Sequence, residues 1–252
     1  MALAPASSAP QVRSPQRMQL GDWTFTELAD GYLRLDGGAM WGVVPRAMWQ
    51  NWTPPDEHNR IFMATRCFLA ERGDDVVVIE GGVGDRWEPK WMGRYGIESG
   101  GALTESLRRA GREPEEVTHA IASHCHWDHI GAWLVEDKGE RVPRFPKARY
   151  LAPADEIEAA LHPDSLRRAS YRAEDLDILQ ASGRLQAYDG QSELLPGLEA
   201  RVVRGHSGGI ALLSFVHEGQ RARGNRRCDG CARSVGRSVQ RACRTDQIRH
   251  RA

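Results

Sequence analysis

The stretch His124-Cys125-His126-Trp127-Asp128-His129 places four potential metal ligands within six residues. It directly follows the apolar run 120–122, which predicts a buried strand. Side chains alternate along an extended segment, so His124 and His126 point to the same side. A turn then brings Asp128 and His129 toward the same place from the other direction. Three imidazoles and one carboxylate suit one or two borderline metal ions, zinc above all.

A second motif, Gly205-His206-Ser207-Gly208-Gly209, follows a predicted strand at 200–203. A histidine on a glycine-rich turn can face a cleft at a sheet edge, because glycine lets the backbone approach closely. Alone, this motif is typical of an ordinary turn. Combined with the first motif, it predicts a site of three histidines, His124, His126 and His206, with an open fourth position. An open position is the arrangement of a catalytic zinc, as opposed to a structural one.

The order of the predicted elements indicates an α+β protein, because many strands with interspersed helices favour two sheets with helices packed outside. Residues 23–29 and 32–35 predict a hairpin around Asp30-Gly31. Residues 61–70 and 75–80 predict a second strand pair that ends in a glycine-rich turn at 80–85. The segment 37–59 predicts a long loop whose tryptophans either line a substrate pocket or cover the core with their own rings.

Composition allows one large domain in the 252 residues and separates it from both ends of the chain. The start, residues 1–19, is rich in Ala, Ser and Pro and predicts a disordered lead-in; it lacks the apolar core of a signal peptide. Residues 221–252 hold ten arginines against Asp229 and Asp246, although the whole chain balances 34 basic with 34 acidic residues. The body at 20–220 is therefore acidic, which argues against a nucleic-acid surface.

Hydropathy and cysteine usage predict a cytoplasmic protein. There is no run of eighteen apolar residues of the kind that spans a membrane. The five cysteines show no spacing typical of a disulfide framework. The expected partner is a small-molecule substrate, with no membrane, and no pattern in the sequence indicates an oligomeric state.

The motifs together resemble those of the metallo-β-lactamase superfamily. Residues 124–129 resemble its HxHxDH signature, and 205–209 resemble its downstream Gly-His-Thr-Pro-Gly turn. Residues 78–82 stand where the family usually has an apolar strand ending in Asp-Thr-Gly. The resemblance covers roughly residues 20–218, and the segment 37–59 looks most like the lactonase-like hydrolase branch. It implies an αββα sandwich with a metal site at one edge of the paired sheets.

The resemblance also implies roles for individual residues. A first metal would lie on His124, His126 and His206, and a second on Asp128 and His129 together with a bridging aspartate and a last histidine from further on. One or two zinc ions would generate a hydroxide that attacks the carbonyl of a lactone, ester or amide. Asp128 would orient this nucleophile and move a proton. The sequence departs from the pattern in having Glu80 for the usual supporting aspartate and no bridging aspartate or final histidine.

Residues 221–252 do not continue the family pattern, which expects an apolar strand ending in Gly-Asp. The segment has no leucine, phenylalanine, tyrosine or tryptophan, so it cannot bury enough apolar surface to offset its ordering entropy. Four interpretations remain: a disordered basic tail, a nucleic-acid-binding tail, a small zinc site on Cys228, Cys231, Cys243 and His250, and a reading-frame shift near residue 220.

The frame shift is the preferred interpretation of this tail. A shift of one nucleotide permits Val-Val-Thr-Gly-Asp-Ala-Met across 223–230, and the coding DNA would decide the matter. The predicted fold is therefore an αββα sandwich whose C-terminal part is truncated or replaced.

Two functional hypotheses follow from these motifs. The first is a zinc-dependent hydrolase of a lactone, ester or amide. The second is a non-catalytic or inactive metal-binding protein whose basic tail contacts nucleic acid. A di-iron redox protein is disfavoured, because those relatives usually carry a carboxylate within the first motif, where Cys125, His126 and Trp127 offer none.

Overall fold

The computed structural model describes residues 16–98, 101–217 and 220–224. The strands in these ranges are β1 (Arg17–Leu20), β2 (Trp23–Asp36), β3 (Arg60–Arg72), β4 (Asp75–Ile79), β5 (His119–Ile121), β6 (Leu134–Asp137), β7 (Glu140–Pro143), β8 (Arg149–Pro153), β9 (Leu185–Tyr188), β10 (Gln191–Leu195), β11 (Leu198–Val203), β12 (Ile210–His217) and β13 (Gln220–Gly224). The helices are α1 (Gly37–Trp41), α2 (Arg46–Trp49), α3 (Pro89–Tyr95), α4 (Leu103–Arg109), α5 (Trp127–Ile130), α6 (Ala154–Leu161) and α7 (Ala173–Ala181).

Two main sheets organise the described chain, and β6 and β7 form a separate two-stranded sheet. The larger sheet has the order β1-β2-β3-β4-β5-β8-β9, and the smaller has the order β10-β11-β12-β13. From β1 to β4 the larger sheet is antiparallel, whereas β4, β5, β8 and β9 run parallel. Carboxyl ends of neighbouring parallel strands meet at one sheet edge, so the segments that follow β4, β5 and β8 are brought together there.

Strand β4 shows why the layers stack as they do. Val76 and Val78 belong to the apolar core that includes residues of α4 and α7. Val77 and Ile79 belong to a second core, which the larger sheet shares with residues of β11 and β12. Side chains alternate along a strand, so this continuous apolar run feeds both cores. Helices, larger sheet and smaller sheet thus form successive layers, in agreement with the predicted α+β, αββα sandwich.

The predicted hairpin around Asp30-Gly31 is wrong, because the two segments form the single strand β2. Asp30 is the extra residue of a β-bulge, since Ala29 pairs with Arg66 and Gly31 with Thr65. The Asp30 side chain is buried rather than solvated as in a turn. Its carboxylate accepts the backbone N–H of Gly84 at 2.7 Å and of Leu103 at 3.2 Å. Asp30-Gly31 therefore marks a bulge with a buried, hydrogen-bonded carboxylate and not a turn.

The segment 37–59 is not wholly a loop, because it contains α1 and α2. Asp36 caps α1, as its Oδ1 accepts the backbone N–H of Ala39 at 2.8 Å. Trp41 and Trp49 are buried in one cluster with Ile61. They cover the core with their own rings, the second of the two roles considered for this segment, whereas Trp52 is 56% exposed.

The described residues cross both predicted ends of the domain. Strand β1 takes in residues 17–19 of the predicted lead-in, and it pairs with β2 because Met18 and Leu20 pack on the core between the sheets. Strand β13 continues to Gly224 and pairs with β12. Residues 225–252, with the proposed zinc ligands Cys228, Cys231, Cys243 and His250, lie outside the described residues. Within the described ranges no helix has the length and apolar character needed to cross a membrane.

Candidate metal centre

Two loops carry the three histidines predicted as a metal site. His124 and His126 lie between β5 and α5, at the carboxyl end of the larger sheet. His206 lies in the turn between β11 and β12 of the smaller sheet. The backbone N–H of Ala211 donates to Ser123 O at 2.8 Å and joins the two loops. As a result, one ligand nitrogen from each histidine lies within 4.8 Å of those of the other two.

The charge state of this cluster fits a metal ion. Burial, with smaller contributions from the neighbouring histidines, holds the pKa of His124 well below its usual value. Burial also lowers the pKa of His126 to about 4, although Asp128 opposes the shift. Both imidazoles are therefore neutral at pH 7, the form that binds metals. Nε2 of each is buried without a hydrogen-bond partner among the described residues, a state that a bound cation would relieve.

Asp128 and His129 lie beside the three histidines, and Glu80 holds His129 in place. The His129 ring centroid is 4.0 Å from that of His124, and its Nε2 is 3.7 Å from Asp128 Oδ2. Its Nδ1 lies 2.8 Å from Glu80 Oε2. The longer side chain of Glu80, noted as a departure from the family, also lets its Oε1 accept the backbone N–H of Ser123 at 3.2 Å. All five predicted site residues are thus brought to one place.

The second metal site is less complete than the first in the described part of the chain. Among the residues described, His124, His126 and His206 make up the only group of three or more potential ligands that lie together. Asp128 and His129 remain outside that group. The roles of all five residues as ligands, and of Asp128 in catalysis, stay predictions.

Close backbone packing fixes the loop that carries Glu80. Gly84 has φ +71°, and a Cβ there would lie 2.3 Å from the carbonyl oxygen of Gly131. The backbone N–H of Gly131 in turn donates to Gly82 O at 2.8 Å. The glycine-rich turn at 81–84 therefore serves close packing against the segment after α5, since larger residues would force the two apart.

Sequence reasoning missed Glu156 of α6. This residue is fully buried. Its Oε2 accepts the backbone N–H of Cys125 at 3.1 Å, and its Oε1 accepts that of Gly209 at 2.9 Å. A glutamate in the first turn of a helix normally reads as a solvated residue that favours the helix dipole. No sequence signal identified it as part of the site.

The aromatic cluster around Trp127, the residue after His126, was also missed. The Trp127 ring lies 4.9 Å from Trp87 and 5.0 Å from Tyr95, centroid to centroid. The Trp127 Nε1–H donates to Ala169 O at 3.0 Å, and the Arg172 guanidinium stacks 3.8 Å from the Trp87 ring. Trp127 itself is buried with Leu33, Val83 and Ile97, and it follows His126 directly in the sequence.

The fold and the three-histidine cluster define an αββα protein with a candidate metal centre at the edge of its sheets. Residues 60–218 match the family described as the metallo-beta-lactamase superfamily, which is more than half of the chain. The chain belongs to this superfamily.

Curated relatives and solved structures agree with this placement. N-acyl homoserine lactonase AttM of Rhizobium johnstonii is 25% identical over 44% of this chain and 42% of its own length. N-acyl homoserine lactonase AiiA of Bacillus thuringiensis subsp. kurstaki is 30% identical over 42% of this chain and 36% of its own length. The chain thus aligns with less than half the length of these relatives.

Two solved structures share the fold. A probable metal-dependent hydrolase from Staphylococcus aureus superposes with a TM-score of 0.74 at 24% identity, over 82% of this chain and 73% of that one. AidC, a dizinc quorum-quenching lactonase in complex with a product, gives a TM-score of 0.65 at 20% identity, over 83% of this chain and 73% of that one.

Proposed function

We propose that this chain is a zinc-dependent hydrolase that opens lactones, with N-acyl homoserine lactones as the first substrates to test. The observation that carries the proposal is the cluster of His124, His126 and His206, in which the neutral imidazoles of His124, which is buried, and His126, which is partly buried, each keep a buried Nε2 without a hydrogen-bond partner among the described residues. The names of the relatives supply the substrate class, since AttM and AiiA are N-acyl homoserine lactonases.

The three histidines would hold one zinc ion, with Asp128 and His129 contributing to a second. When bound, zinc supplies Lewis acidity, which lowers the pKa of a water molecule and polarises a carbonyl group. Asp128 is the candidate proton carrier, because its carboxylate is 13% exposed and lies beside His129 at the edge of the cluster. Glu80 would keep the His129 ring in one orientation.

The aromatic cluster around Trp127 would exclude water and bind the apolar part of the substrate. Trp87 packs edge to face against both Trp127 and Tyr95, so these rings are held in place without a ligand. An apolar surface beside a few convergent polar groups is the usual composition of a small-molecule site. This favours a small carbonyl compound with an apolar substituent.

A metal and activity assay on the full chain tests the proposal. Metal-free protein is reloaded with zinc and assayed on N-hexanoyl and N-decanoyl homoserine lactones, an unsubstituted lactone, an aryl ester and a β-lactam. We expect at least one zinc per chain and turnover of the lactones. His206→Ala should lose both, whereas His162→Ala should retain both, because its ring is 73% exposed on α6's end, away from the cluster.

A protein that hydrolyses the aryl ester or the β-lactam but no lactone would refute the proposed substrate class. A protein that binds zinc stoichiometrically but hydrolyses none of these compounds would refute the hydrolase assignment. The alternative, a metal-binding protein with a nucleic-acid-contacting tail, would then be left. Residues 225–252 of its tail lie outside the described residues, and no described feature favours it.

A further inference from the structure

We propose that Glu156 is a positioning residue that fixes the two histidine-bearing loops relative to each other and so sets the metal affinity of the site. The inference rests on the proposed metal role of His124, His126 and His206. It adds a determinant of that site which acts through the backbone amides of Cys125 and Gly209.

The contacts of Glu156 bridge the two sheets. Its Oε2 accepts the N–H of Cys125, between His124 and His126, at 3.1 Å, and its Oε1 accepts the N–H of Gly209, in the turn that holds His206, at 2.9 Å. One carboxylate therefore ties a loop of the larger sheet to a turn of the smaller sheet. Both hydrogen bonds are to a charged acceptor, the stronger kind.

The surroundings of Glu156 indicate a built contact. The side chain is fully buried, and a third donor, the Tyr171 hydroxyl, lies 3.4 Å from Oε2. The Tyr171 ring also packs edge-on against the His126 ring, 4.9 Å between centroids. Gly208 approaches α6 so closely that a Cβ there would lie 3.3 Å from Glu156 Oε1. The turn around His206 is therefore shaped to meet this carboxylate.

Charge supplies a second reason for the coupling to a metal. Within the described ranges, Glu156 forms no ion pair with an arginine or lysine, and its hydrogen-bond donors are all neutral. An ionised carboxylate buried among neutral donors is costly unless a cation is near. Arg167 interacts with Glu156 electrostatically without forming an ion pair. A cation on the three histidines would add to that compensation, so Glu156 would favour the metal-loaded state through its charge as well as through geometry.

Glu156→Gln tests both effects, because glutamine keeps the shape but has one acceptor oxygen for two backbone donors on opposite loops. We expect zinc and cobalt affinities, measured by titration well below the unfolding temperature, to fall about 10- to 100-fold, the range for residues that support metal ligands. Hydrogen exchange of the metal-free protein should show reduced protection of the Cys125 and Gly209 amides. Glu158→Gln, which makes the same change at an exposed site on the same helix, should alter neither quantity.

A milder variant covers the case in which Glu156→Gln does not fold. Gly208→Ala should push the turn away from α6 by a few tenths of an ångström and weaken metal affinity several-fold. Its melting temperature should stay close to that of the wild type. A residue that only stabilises the fold would lower the melting temperature and leave the affinity of the folded protein unchanged.

Wild-type metal affinity in Gly208→Ala, or wild-type affinity and amide protection in Glu156→Gln, would overturn the inference. These outcomes are distinct from a failure of the proposed function. Lactone turnover enters none of these measurements, and the exchange experiment decides on the two-loop contact even if the wild-type protein binds no zinc.

Discussion

Replacing Glu80 by glutamine should leave a hydrogen-bond acceptor for only one of the two partners of this side chain. The carboxylate serves His129 Nδ1 at 2.8 Å and the Ser123 N–H at 3.2 Å, one with each oxygen. Glutamine has one acceptor oxygen and an NH2 donor. If the oxygen serves Ser123, the NH2 faces Nδ1, and the proton of a neutral His129 ring moves to Nε2. If the oxygen serves His129, a buried N–H is left facing a donor.

The size of the effect follows from these two choices. Ser123 is buried, and the Glu80 side chain is 11% exposed, so water compensates little. An unsatisfied buried donor costs about 1–3 kcal/mol. We therefore expect the free energy of unfolding of the metal-free protein to fall by about that amount, or metal affinity to fall roughly 5- to 150-fold where the cost appears as loss of the Nε2 lone pair.

Two measurements separate these outcomes. Urea unfolding of the metal-free protein gives the stability change, and nitrogen NMR of the His129 ring shows which nitrogen carries the proton. Glu57→Gln is the matched control, because Glu57 also lies beside a histidine, His58 at 3.6 Å, but its side chain is 86% exposed. If Glu80→Gln changes neither the stability nor the protonated nitrogen, Glu80 does not orient His129.

Three further perturbations test the packing that holds the site. Asp30→Asn should lower the free energy of unfolding by about 1–3 kcal/mol in urea, because one of two buried backbone donors loses its acceptor. Burial raises the pKa of Asp30 above 3.8, so the folded state takes up its proton first, and the wild-type advantage over Asp30→Asn should grow as pH falls from 7 toward 4. Asp175→Asn should lower the free energy of unfolding by about 3–5 kcal/mol, because it removes the negative charge that pairs with Arg86. The Arg86 Nη1 lies 2.9 Å from Asp175 Oδ1, and its side chain is only 8% exposed. Gly131→Ala should lower the free energy of unfolding by about 1–3 kcal/mol through overpacking, since its Cβ would lie 2.2 Å from Val83 O.

Each of these perturbations has a control or a contradicting result. Asp164→Asn breaks an ion pair with Arg167 in which both side chains are nearly half exposed, and we expect no measurable change in melting temperature. Gly93→Ala adds a Cβ with nothing within 4 Å in α3 and should be neutral or slightly stabilising. A pH-independent difference between wild type and Asp30→Asn would contradict the role of burial at that carboxylate.

The metal motif was predictable because its signal is local. Four ligand types fall within six residues after an apolar strand, and strand alternation alone places His124 and His126 on one side. The apolar run 76–79 within β4 is likewise a local signal, typical of a strand with both faces covered. His206 was predictable only together with the first motif, because a glycine-rich turn that contains a histidine does not by itself indicate a metal site.

The remaining features depend on contacts that sequence separation hides. Asp30 looks like a turn residue, but tertiary packing places it in a bulge, where backbone donors from two distant segments compensate its burial. Glu156 looks like a helix-surface residue until Cys125 and Gly209 are both brought to it. Hydrophobic periodicity indicates which faces of a helix or strand are buried. It does not indicate which buried polar groups will find hydrogen-bond partners.

The placement of the histidines on two sheets has a consequence for how the chain assembles. His124 and His126 follow a parallel strand of the larger sheet, whereas His206 belongs to a hairpin formed much later in the sequence. Pairings between distant segments form slowly, because the entropy of closing long loops is lost before the contacts are gained. Zinc that requires all three imidazoles would bind only after the sheets have docked. Each tenfold increase in free zinc above its dissociation constant would then raise the stability of the docked state by about 1.4 kcal/mol. The zinc concentration would therefore affect how readily the protein unfolds as well as whether it is active.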